Sequence, residues 1–239
     1  MQHQDLGLST LISLSGADRF NEWMFEAVRP YIAGKTLEIG SGIGNISAIL
    51  VRHQLPLYVS DHTDEYTARL RNRFAATDLV KGVLSIDLAE KDFDTVHAGI
   101  VGTFDTVFAL NVIEHIEDDH LAILNCYKLL KPGGRVVVLV PAWPALYNWL
   151  DKGLEHYRRY SSTTLRQLLS GPFTLTEMKY FNLAGIGGWW LTGTLLRRKV
   201  IGEGRAKAYD RLVPLFRLVD KLSFHRMGLS LVVVGEKER

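Results

Sequence analysis

The fold is decided by one stretch, Leu37-Glu38-Ile39-Gly40-Ser41-Gly42-Ile43-Gly44-Asn45. A short apolar run leads there into a glycine-rich turn, and a helix is predicted to begin near Gly44. The three glycines allow positive φ angles and let the backbone approach a ligand closely. The first turn of the helix would present unpaired N–H groups to an anionic ligand. The stretch therefore predicts a strand, a turn and a helix that cradle a nucleotide-like cofactor.

The spacing of the glycines distinguishes between two kinds of cofactor. A dinucleotide fingerprint reads G-x-G-x-x-G, and the position of its third glycine is Asn45 in this chain. The chain instead has G-x-G-x-G, with the acid Glu38 two residues before the first glycine. This form argues against a nicotinamide dinucleotide.

Size and composition fit a single α/β domain. The chain has 239 residues, of which 47% are hydrophobic and 23% charged, and its formal charge of +2 gives no argument for nucleic acid. The single cysteine, Cys126, excludes an internal disulfide framework and a thiolate metal site. The first residues lack the pattern of a signal peptide, so a reducing cytoplasm is expected.

Strand-like and helix-like segments alternate along the chain, which is the pattern of a parallel sheet. The unbroken run Val136–Val140 predicts a strand that is buried on both faces. A leading helix is expected to begin at a cap on Ser15 or Asp18 and to end near Arg29. Strands are predicted at 35–40, 56–60, 83–87, 104–110, 135–140, 173–181 and 229–234, and further helices at 44–53, 64–77, 118–130 and 163–169.

Residues 182–228 are predicted to be a helical insertion within one domain. The lead-in would then be 1–33, and the core 34–181 with 229–239. The insertion holds nine Lys and Arg against three acids. It includes an expected amphipathic helix with Pro214 in its first turn and an apolar face formed by Leu212, Leu215, Phe216, Val219 and Leu222. Three interpretations stay open: a lid over an apolar acceptor, a dimer surface, or a membrane-surface element.

Acidic residues follow the predicted strands at regular places. Asp61 ends Leu57-Tyr58-Val59-Ser60-Asp61, and Asp87 precedes Leu88 after the third strand. Asp61 lies 23 residues beyond Glu38, close to the spacing at which such folds place an acid on a ribose diol. Because parallel strands end at the same edge of a sheet, these acids are predicted to surround one ligand.

Together with Phe104-Asp105-Thr106-Val107-Phe108-Ala109-Leu110-Asn111-Val112-Ile113-Glu114-His115-Ile116, these motifs resemble class I S-adenosylmethionine-dependent methyltransferases. The resemblance implies an α/β fold with a Rossmann-like, mostly parallel seven-stranded sheet, helices on both faces and an antiparallel last strand. It implies S-adenosylmethionine as cofactor, with Glu38 at the methionine ammonium, Asp61 on the ribose and Asp87 at the adenine. The implied cofactor residues are Glu38, Gly40, Ser41, Gly42, Gly44, Asn45, Asp61, His62, Asp87, Leu88, Leu110 and Asn111.

Two histidines are candidates for the base that a hydroxyl acceptor would need. His115 resembles the Glu-His pair of ubiquinone-type O-methyltransferases, whereas His156 follows the fifth strand, where this fold faces the acceptor. We favour His156, although a purely structural role stays open for each. The residues predicted to line the acceptor pocket are Trp143, Tyr147, Tyr157, Arg158, Arg159 and Tyr160, and the Arg-Arg pair is equally compatible with tying the loop to surface acids.

No metal is predicted to be required, because the nearest acids, Glu117-Asp118-Asp119, form an ordinary helix start. The preferred function is methyl transfer to a hydroxyl of a small molecule, with no nucleic-acid partner, by a monomer or homodimer. Transfer to nitrogen or carbon of a metabolite or a lipid-linked substrate is the alternative. A nicotinamide-dependent oxidoreductase and a non-catalytic cofactor-binding scaffold are the alternatives from other classes.

Overall fold

A computed structural model describes residues 4–238 and contains one seven-stranded sheet. The strand order is β3-β2-β1-β4-β5-β7-β6, and β7 alone runs antiparallel to its neighbours. This confirms the predicted Rossmann-like fold class with its antiparallel last strand. The strands are β1 Thr36–Ile39, β2 Leu57–Asp61, β3 Val80–Ser85, β4 Phe104–Leu110, β5 Leu130–Pro141, β6 Thr174–Phe181 and β7 Ser230–Glu236.

Two strands differ from their predicted bounds because pairing, rather than hydrophobicity, sets their ends. The edge strand β3 begins at Val80, since this residue pairs with Leu57 of β2. The central strand β5 begins at Leu130, which pairs with Phe104. Lys131-Pro132-Gly133-Gly134, which separate the predicted helix at 118–130 from the predicted strand at 135–140, are therefore part of the strand. The Gly133 N–H donates to the Lys237 carbonyl.

The central strand β5 is buried on both faces, as its valine-rich sequence predicts. Val136, Val138 and Val140 lie in one hydrophobic cluster, while Val137 and Leu139 lie in the other. Alternate residues of a strand point to opposite faces, so one strand contributes to both cores. The two cores fix the strands relative to one another and thereby fix the edge at which the strands end.

Helices cover both faces of the sheet. The predicted leading helix is present as Asp18–Val28, with Ala17 rather than Ser15 or Asp18 at its N-cap and no side-chain cap bond, and a further helix, Gln4–Ser15, precedes it. Ser161 caps the eighth helix through a reciprocal bond with Thr164. The helices are α1 Gln4–Ser15, α2 Asp18–Val28, α3 Asn45–Arg52, α4 Asp64–Arg73, α5 Phe93–Val96, α6 Asp119–Leu129, α7 Trp149–Gly153, α8 Ser162–Ser170, α9 Gly185–Trp189 and α10 Glu203–Leu222.

The predicted insertion folds as α9, a π-helical turn Trp190–Leu195, and α10. It packs tightly on α7 at two glycines. A Cβ on Gly153 would lie 2.1 Å from the Lys199 carbonyl oxygen, and one on Gly193 would lie 2.0 Å from Asn148 Oδ1. The insertion therefore lies directly against α7.

Two predictions for α10 are wrong. Pro214 lies in the middle of the helix rather than in its first turn. The apolar face is also misplaced, because Leu212, Leu215 and Leu222 are at least half exposed. The core-facing side instead carries Ala206, Val213 and Asp220, which recur every seven residues, and Asp220 accepts hydrogen bonds from the backbone N–H groups of Asn182 and Leu183. Within residues 4–238, no helix is long and apolar enough to cross a membrane.

Candidate active site

A cavity of about 1890 Å³ opens at the edge where the parallel strands end. The sheet order reverses there, since β1 is flanked by β2 on one side and β4 on the other. Ligands of open α/β sheets bind at such a position. Eleven of the twelve predicted cofactor residues line the cavity: Glu38, Gly40, Ser41, Gly42, Asn45, Asp61, His62, Asp87, Leu88, Leu110 and Asn111.

Gly44 is the exception among the predicted cofactor residues. It precedes α3 with a φ of +81°, and a Cβ at this position would lie 2.7 Å from the Phe74 ring. Gly44 therefore serves the close packing of α3 rather than the cavity wall. Gly40, by contrast, lies on the wall with a φ of +65°, and a Cβ there would lie 2.5 Å from a Val112 methyl carbon.

The carboxylate of Glu38 is buried at the end of β1 next to the glycine turn. The Ser47 hydroxyl donates to Glu38 Oε2 at 2.5 Å. Burial raises the pKa of Glu38 to about 7, and the neighbouring Asp61 adds to this rise. Near neutral pH the carboxyl is therefore divided between its neutral and ionised forms.

Asp61 is buried at the end of β2 and holds the glycine turn through its side chain. The Gly42 N–H donates to Asp61 Oδ2 at 3.0 Å, and the Thr63 N–H donates to Oδ1 at 3.1 Å. His62 is mostly exposed beside it, with Nδ1 3.4 Å from Asp61 Oδ1. These bonds fix the carboxylate at the cavity wall.

Two further wall residues complete this end of the cavity. Asp87 is exposed and accepts from the Ala89 N–H at 2.8 Å, so it also caps the turn after β3. Asn111 follows β4 with a φ of +55°, an uncommon conformation for a non-glycine residue. Backbone of this kind is concentrated at binding sites.

The opposite end of the cavity contains an aspartate–histidine pair. His156 lines the cavity, and its Nδ1 lies 2.8 Å from Asp151 Oδ1. Asp151 is fully buried and accepts from Arg159 Nε at 2.7 Å and from the Asn148 N–H at 2.9 Å. The indole N–H of Trp189 in α9 donates to it at 3.3 Å. Although burial acts to raise the pKa of Asp151, the bond from His156 and the charge of Arg159 hold it below its ordinary value.

Two residues of the turn after β4 lie against His156. The rings of His115 and His156 meet edge to face with centroids 4.7 Å apart. His115 lines the cavity with an exposed side chain, and desolvation by the surrounding atoms, followed by the nearby His156 and His62, lowers its pKa. Glu114 is fully buried, its Oε1 lies 4.0 Å from His156 Nε2, and burial raises its pKa to about 7.

Glu114 has an unusual environment for a buried carboxyl. Among the described residues, neither of its oxygens has a hydrogen-bond partner. Buried polar groups are normally paired, so an unpaired one suggests a functional role. The ligand atoms of Glu114, His115 and His156 lie within 4.8 Å of one another, an arrangement that could hold a divalent metal ion.

The predicted acceptor residues divide into two groups. Tyr147, Tyr157 and Arg159 line the cavity. Trp143, Arg158 and Tyr160 do not. Trp143 stacks on Tyr180 and donates from its indole N–H to the Gly228 carbonyl, because a left-handed backbone at 143 turns the ring toward β6. Arg158 and Tyr160 both contact the Asp119 carboxylate. The Arg158 guanidinium lies 2.8 Å from it, and the hydroxyl of the buried Tyr160 donates to it at 2.9 Å. Of the two arginines, Arg158 is therefore the one that ties the loop to a surface acid.

Sequence reasoning did not select Asp151, Trp189 or Glu114 as site residues. Asp151 stands five residues before His156, and an acid about one helical turn from a candidate base was a usable signal. The motif that contains Glu114-His115 gives no indication of a role for Glu114 itself. For Trp189 there was no local signal, because its contact with Asp151 spans 38 residues of sequence.

Comparison with known proteins agrees with these observations. Residues 37–136 match the family described as methyltransferase domain. A ubiquinone biosynthesis O-methyltransferase from Pseudomonas paraeruginosa is 26% identical over 207 residues, which cover 86% of this chain and 81% of the relative. One of the same name from Azotobacter vinelandii is 31% identical over 115 residues, 48% of this chain and 47% of the relative.

A similar solved structure is a SAM-dependent methyltransferase from Archaeoglobus fulgidus. Its TM-score is 0.58 at 15% identity, with 91% of this chain and 94% of that chain covered. At this identity the likeness concerns the fold alone. It extends beyond the matched family domain to most of the chain.

Proposed function

We propose that this chain, a class I S-adenosylmethionine-dependent methyltransferase, transfers a methyl group to a hydroxyl oxygen of a small molecule with His156 as general base. The observation that carries the proposal is the bond between His156 and the buried, ionised Asp151 at the cavity wall. Transfer to oxygen is supported because a neutral hydroxyl must lose its proton, whereas a neutral amine attacks through its own lone pair. The names of the relatives point the same way.

The cofactor end of the cavity supports the placement of S-adenosylmethionine. In this proposal Glu38 accepts from the methionine ammonium, and the N–H groups of the glycine turn bind its carboxylate. Asp61 holds the ribose hydroxyls, and Asp87 with Leu88 binds the adenine. Gly40 lies on the cavity wall without a side chain, which supports close approach of a ligand to the backbone. When bound, the cofactor supplies a methyl group on a positively charged sulfur, an electrophile that needs no further activation.

The side chains at the other end move the proton. Because the ionised Asp151 only accepts hydrogen bonds, Nδ1 of His156 carries the hydrogen and Nε2 is left free as the base. When the acceptor hydroxyl gives its proton to Nε2, the imidazolium is stabilised by Asp151 on one side and by Glu114, 4.0 Å away, on the other. Arg159 keeps Asp151 ionised and in place.

His115 supports this chemistry in another role. A histidine whose pKa is lowered binds a proton more weakly, which makes His115 a poorer general base. Its neutral ring suits a hydrogen bond that positions the acceptor. Tyr147 and Tyr157 then provide partly apolar walls for an aromatic or otherwise apolar acceptor.

The proposed insertion would cover the acceptor end as a lid. Trp189, Leu191 and Leu196 line the cavity, and the indole of Trp189 contacts Asp151 directly. A lid at this place excludes water from the base, which strengthens the electrostatic interactions within the site.

Transfer of a radiolabelled methyl group to paired acceptors tests the proposal. The pairs are phenols and the matching anilines with the same apolar substituents. We expect label on the phenol oxygen and none on the aniline. Label on nitrogen or carbon would contradict the hydroxyl acceptor, and a bound cofactor that is never consumed would favour a scaffold.

A further inference from the structure

The outer side of α10 carries a row of leucines that face away from the protein. Ala206, Val213 and Asp220 define the buried side of the helix. Leu215, Leu218 and Leu222 lie on the opposite side and are 56%, 52% and 70% exposed. We call these three residues the leucine row. Single exposed leucines are common, but a continuous row on one helix indicates an interaction surface.

The turn after α10 extends this apolar surface. Phe224 is 78% exposed, and Met227 is 47% exposed. Phe224 and His225 both have positive φ angles, of 54° and 53°. Two consecutive non-glycine residues in this conformation are unfavourable, and such strain is usually retained for a function. The turn therefore places an aromatic ring in solvent at the end of the leucine row.

Positive charge surrounds the same surface. The three acids of residues 182–228 are engaged elsewhere: Glu203 pairs with Lys207, Asp210 accepts from the Phe20 N–H, and Asp220 is buried. Most of the nine basic residues in this segment therefore have no acid of the segment as a partner. Among the described residues, no carboxylate lies within 4.0 Å of Arg211, Lys221 or Arg226, whereas Arg217 pairs with Glu26. Asp18 and Glu22 of α2 line a groove beside Leu218 and Lys221, but basic residues outnumber acids around this apolar surface.

We propose that this face of α10 docks on the surface of an anionic lipid bilayer. The helix would lie in the plane of the membrane, with the leucine row and Phe224 below the headgroups and Arg211, Lys221 and Arg226 among the lipid phosphates. Apolar burial and charge attraction act together in such binding, and neither is large alone. The absence of a membrane-spanning helix within residues 4–238 agrees with attachment at the surface.

Charge argues against the other occupants. A second copy on a two-fold axis would bring the same unpaired basic residues face to face, which opposes association. An acidic protein would satisfy the charges, but protein contacts place charged residues at a rim around the apolar centre. Here Arg211 lies on the same stripe of the helix as the leucine row, one turn before Leu215, where its long side chain can reach lipid phosphates above a buried row.

Co-sedimentation of the full chain with lipid vesicles tests the inference. One set of vesicles contains phosphatidylcholine alone, and the other contains phosphatidylcholine with phosphatidylglycerol. We expect binding to the anionic vesicles and weak binding to the neutral ones. Replacing Arg211, Lys221 and Arg226 by Gln lowers the partition coefficient on the order of 100-fold. Replacing the leucine row by Ser lowers it about tenfold or more.

Two matched variants serve as controls. Lys81, Lys91 and Arg166 are exposed on other elements, so their replacement by Gln changes the net charge equally at another surface. Leu124→Ser removes an exposed leucine from α6. Both controls should retain vesicle binding, and all variants should bind S-adenosylhomocysteine as the parent does. Absence of binding to anionic vesicles, equal loss in the charge control, or a dimer that the leucine-row variant converts to monomer would each overturn the inference.

Discussion

The two ends of the cavity are built in different ways. At the cofactor end, Glu38, Asp61 and Asn111 each stand at the end of a strand or directly after it, and the sheet fixes their spacing. At the acceptor end, Asp151 stands in a five-residue helix, His156 in a loop, and Trp189 in the insertion. The sheet determines the geometry of the cofactor end. The geometry of the acceptor end depends on side-chain hydrogen bonds to the buried carboxylate of Asp151.

This difference predicts that substitutions will separate into two kinds. Changes at the strand ends should weaken cofactor binding and spare turnover at saturating cofactor. Changes around Asp151 should lower turnover and spare cofactor binding. A variant that altered both equally would break the comparison.

The largest effect is expected for His156→Ala. Loss of a general base should lower kcat by roughly 1000-fold, within the range of 100 to 10,000 typical for such groups. Affinity for S-adenosylhomocysteine, measured by calorimetry, should be unchanged. His120→Ala, at an exposed position of α6, is the control. Full turnover in His156→Ala would remove this residue from the mechanism.

Asp61→Ala should affect the other end alone. Removing a charge-assisted acceptor should weaken binding of S-adenosylhomocysteine by about 2 kcal/mol, or roughly 30-fold. Turnover at saturating cofactor should remain near that of the parent. Asp64→Ala, at an exposed position of α4, is the control, and thermal unfolding reports any damage from the lost Gly42 bond. Unchanged affinity would mean that the ribose lies elsewhere.

The pH dependence of cofactor binding sharpens the comparison further. Glu38 must be ionised to accept from an ammonium, and its pKa is raised to about 7. Affinity for S-adenosylhomocysteine should therefore rise roughly tenfold between pH 6 and pH 8, as the proton leaves. Calorimetry on Glu38→Gln should give a flat profile over this range. A parent profile that is flat or falls with pH would contradict the role of Glu38.

A smaller effect is expected for Trp189→Phe. The change removes the indole N–H that donates to Asp151 but keeps an aromatic ring near Arg159. Asp151 would still accept hydrogen bonds from His156, Arg159 and the Asn148 N–H. Loss of the fourth bond should lower kcat about fivefold, which corresponds to about 1 kcal/mol. Trp190→Phe, at the exposed neighbouring position, is the matched control. Equal kcat values in both variants would show that the insertion does not influence the base.

No effect is expected from metal removal. In the proposed mechanism His156 acts through a free Nε2, which a bound ion would occupy. Turnover after dialysis against EDTA should therefore equal that of the untreated enzyme. Loss of activity that divalent ions restore would instead assign Glu114, His115 and His156 to a metal site.

The sequence predicted the cavity wall at the strand ends well because the information for that wall is local. The residues around the glycine turn lie on the cavity wall because each follows a strand whose apolar pattern is legible. The sequence pattern predicts a cofactor role for Gly44 because a binding motif and close packing both require glycine. A positive φ is needed in both cases.

The acceptor end was predicted only in part because its contacts join distant segments. The sequence selected His156 but could not show that Trp189 reaches Asp151 across 38 residues. A left-handed backbone at Trp143 turned a predicted wall residue away from the cavity. In α10 the leucines are not the residues that the core buries. The pattern of apolar residues does not reveal that Ala206, Val213 and Asp220 face inward instead.

Gly153 and Gly193 lie where the insertion meets α7, and a single methyl group at either would collide with atoms about 2 Å away. Neither glycine would touch a reacting atom. Both are nevertheless needed for the close packing of α7, which carries Asp151, against the insertion. In a genetic screen for lost activity, alanine at these two positions would be recovered alongside changes to the base itself. Inactivating lesions in this protein therefore need not cluster around its chemistry.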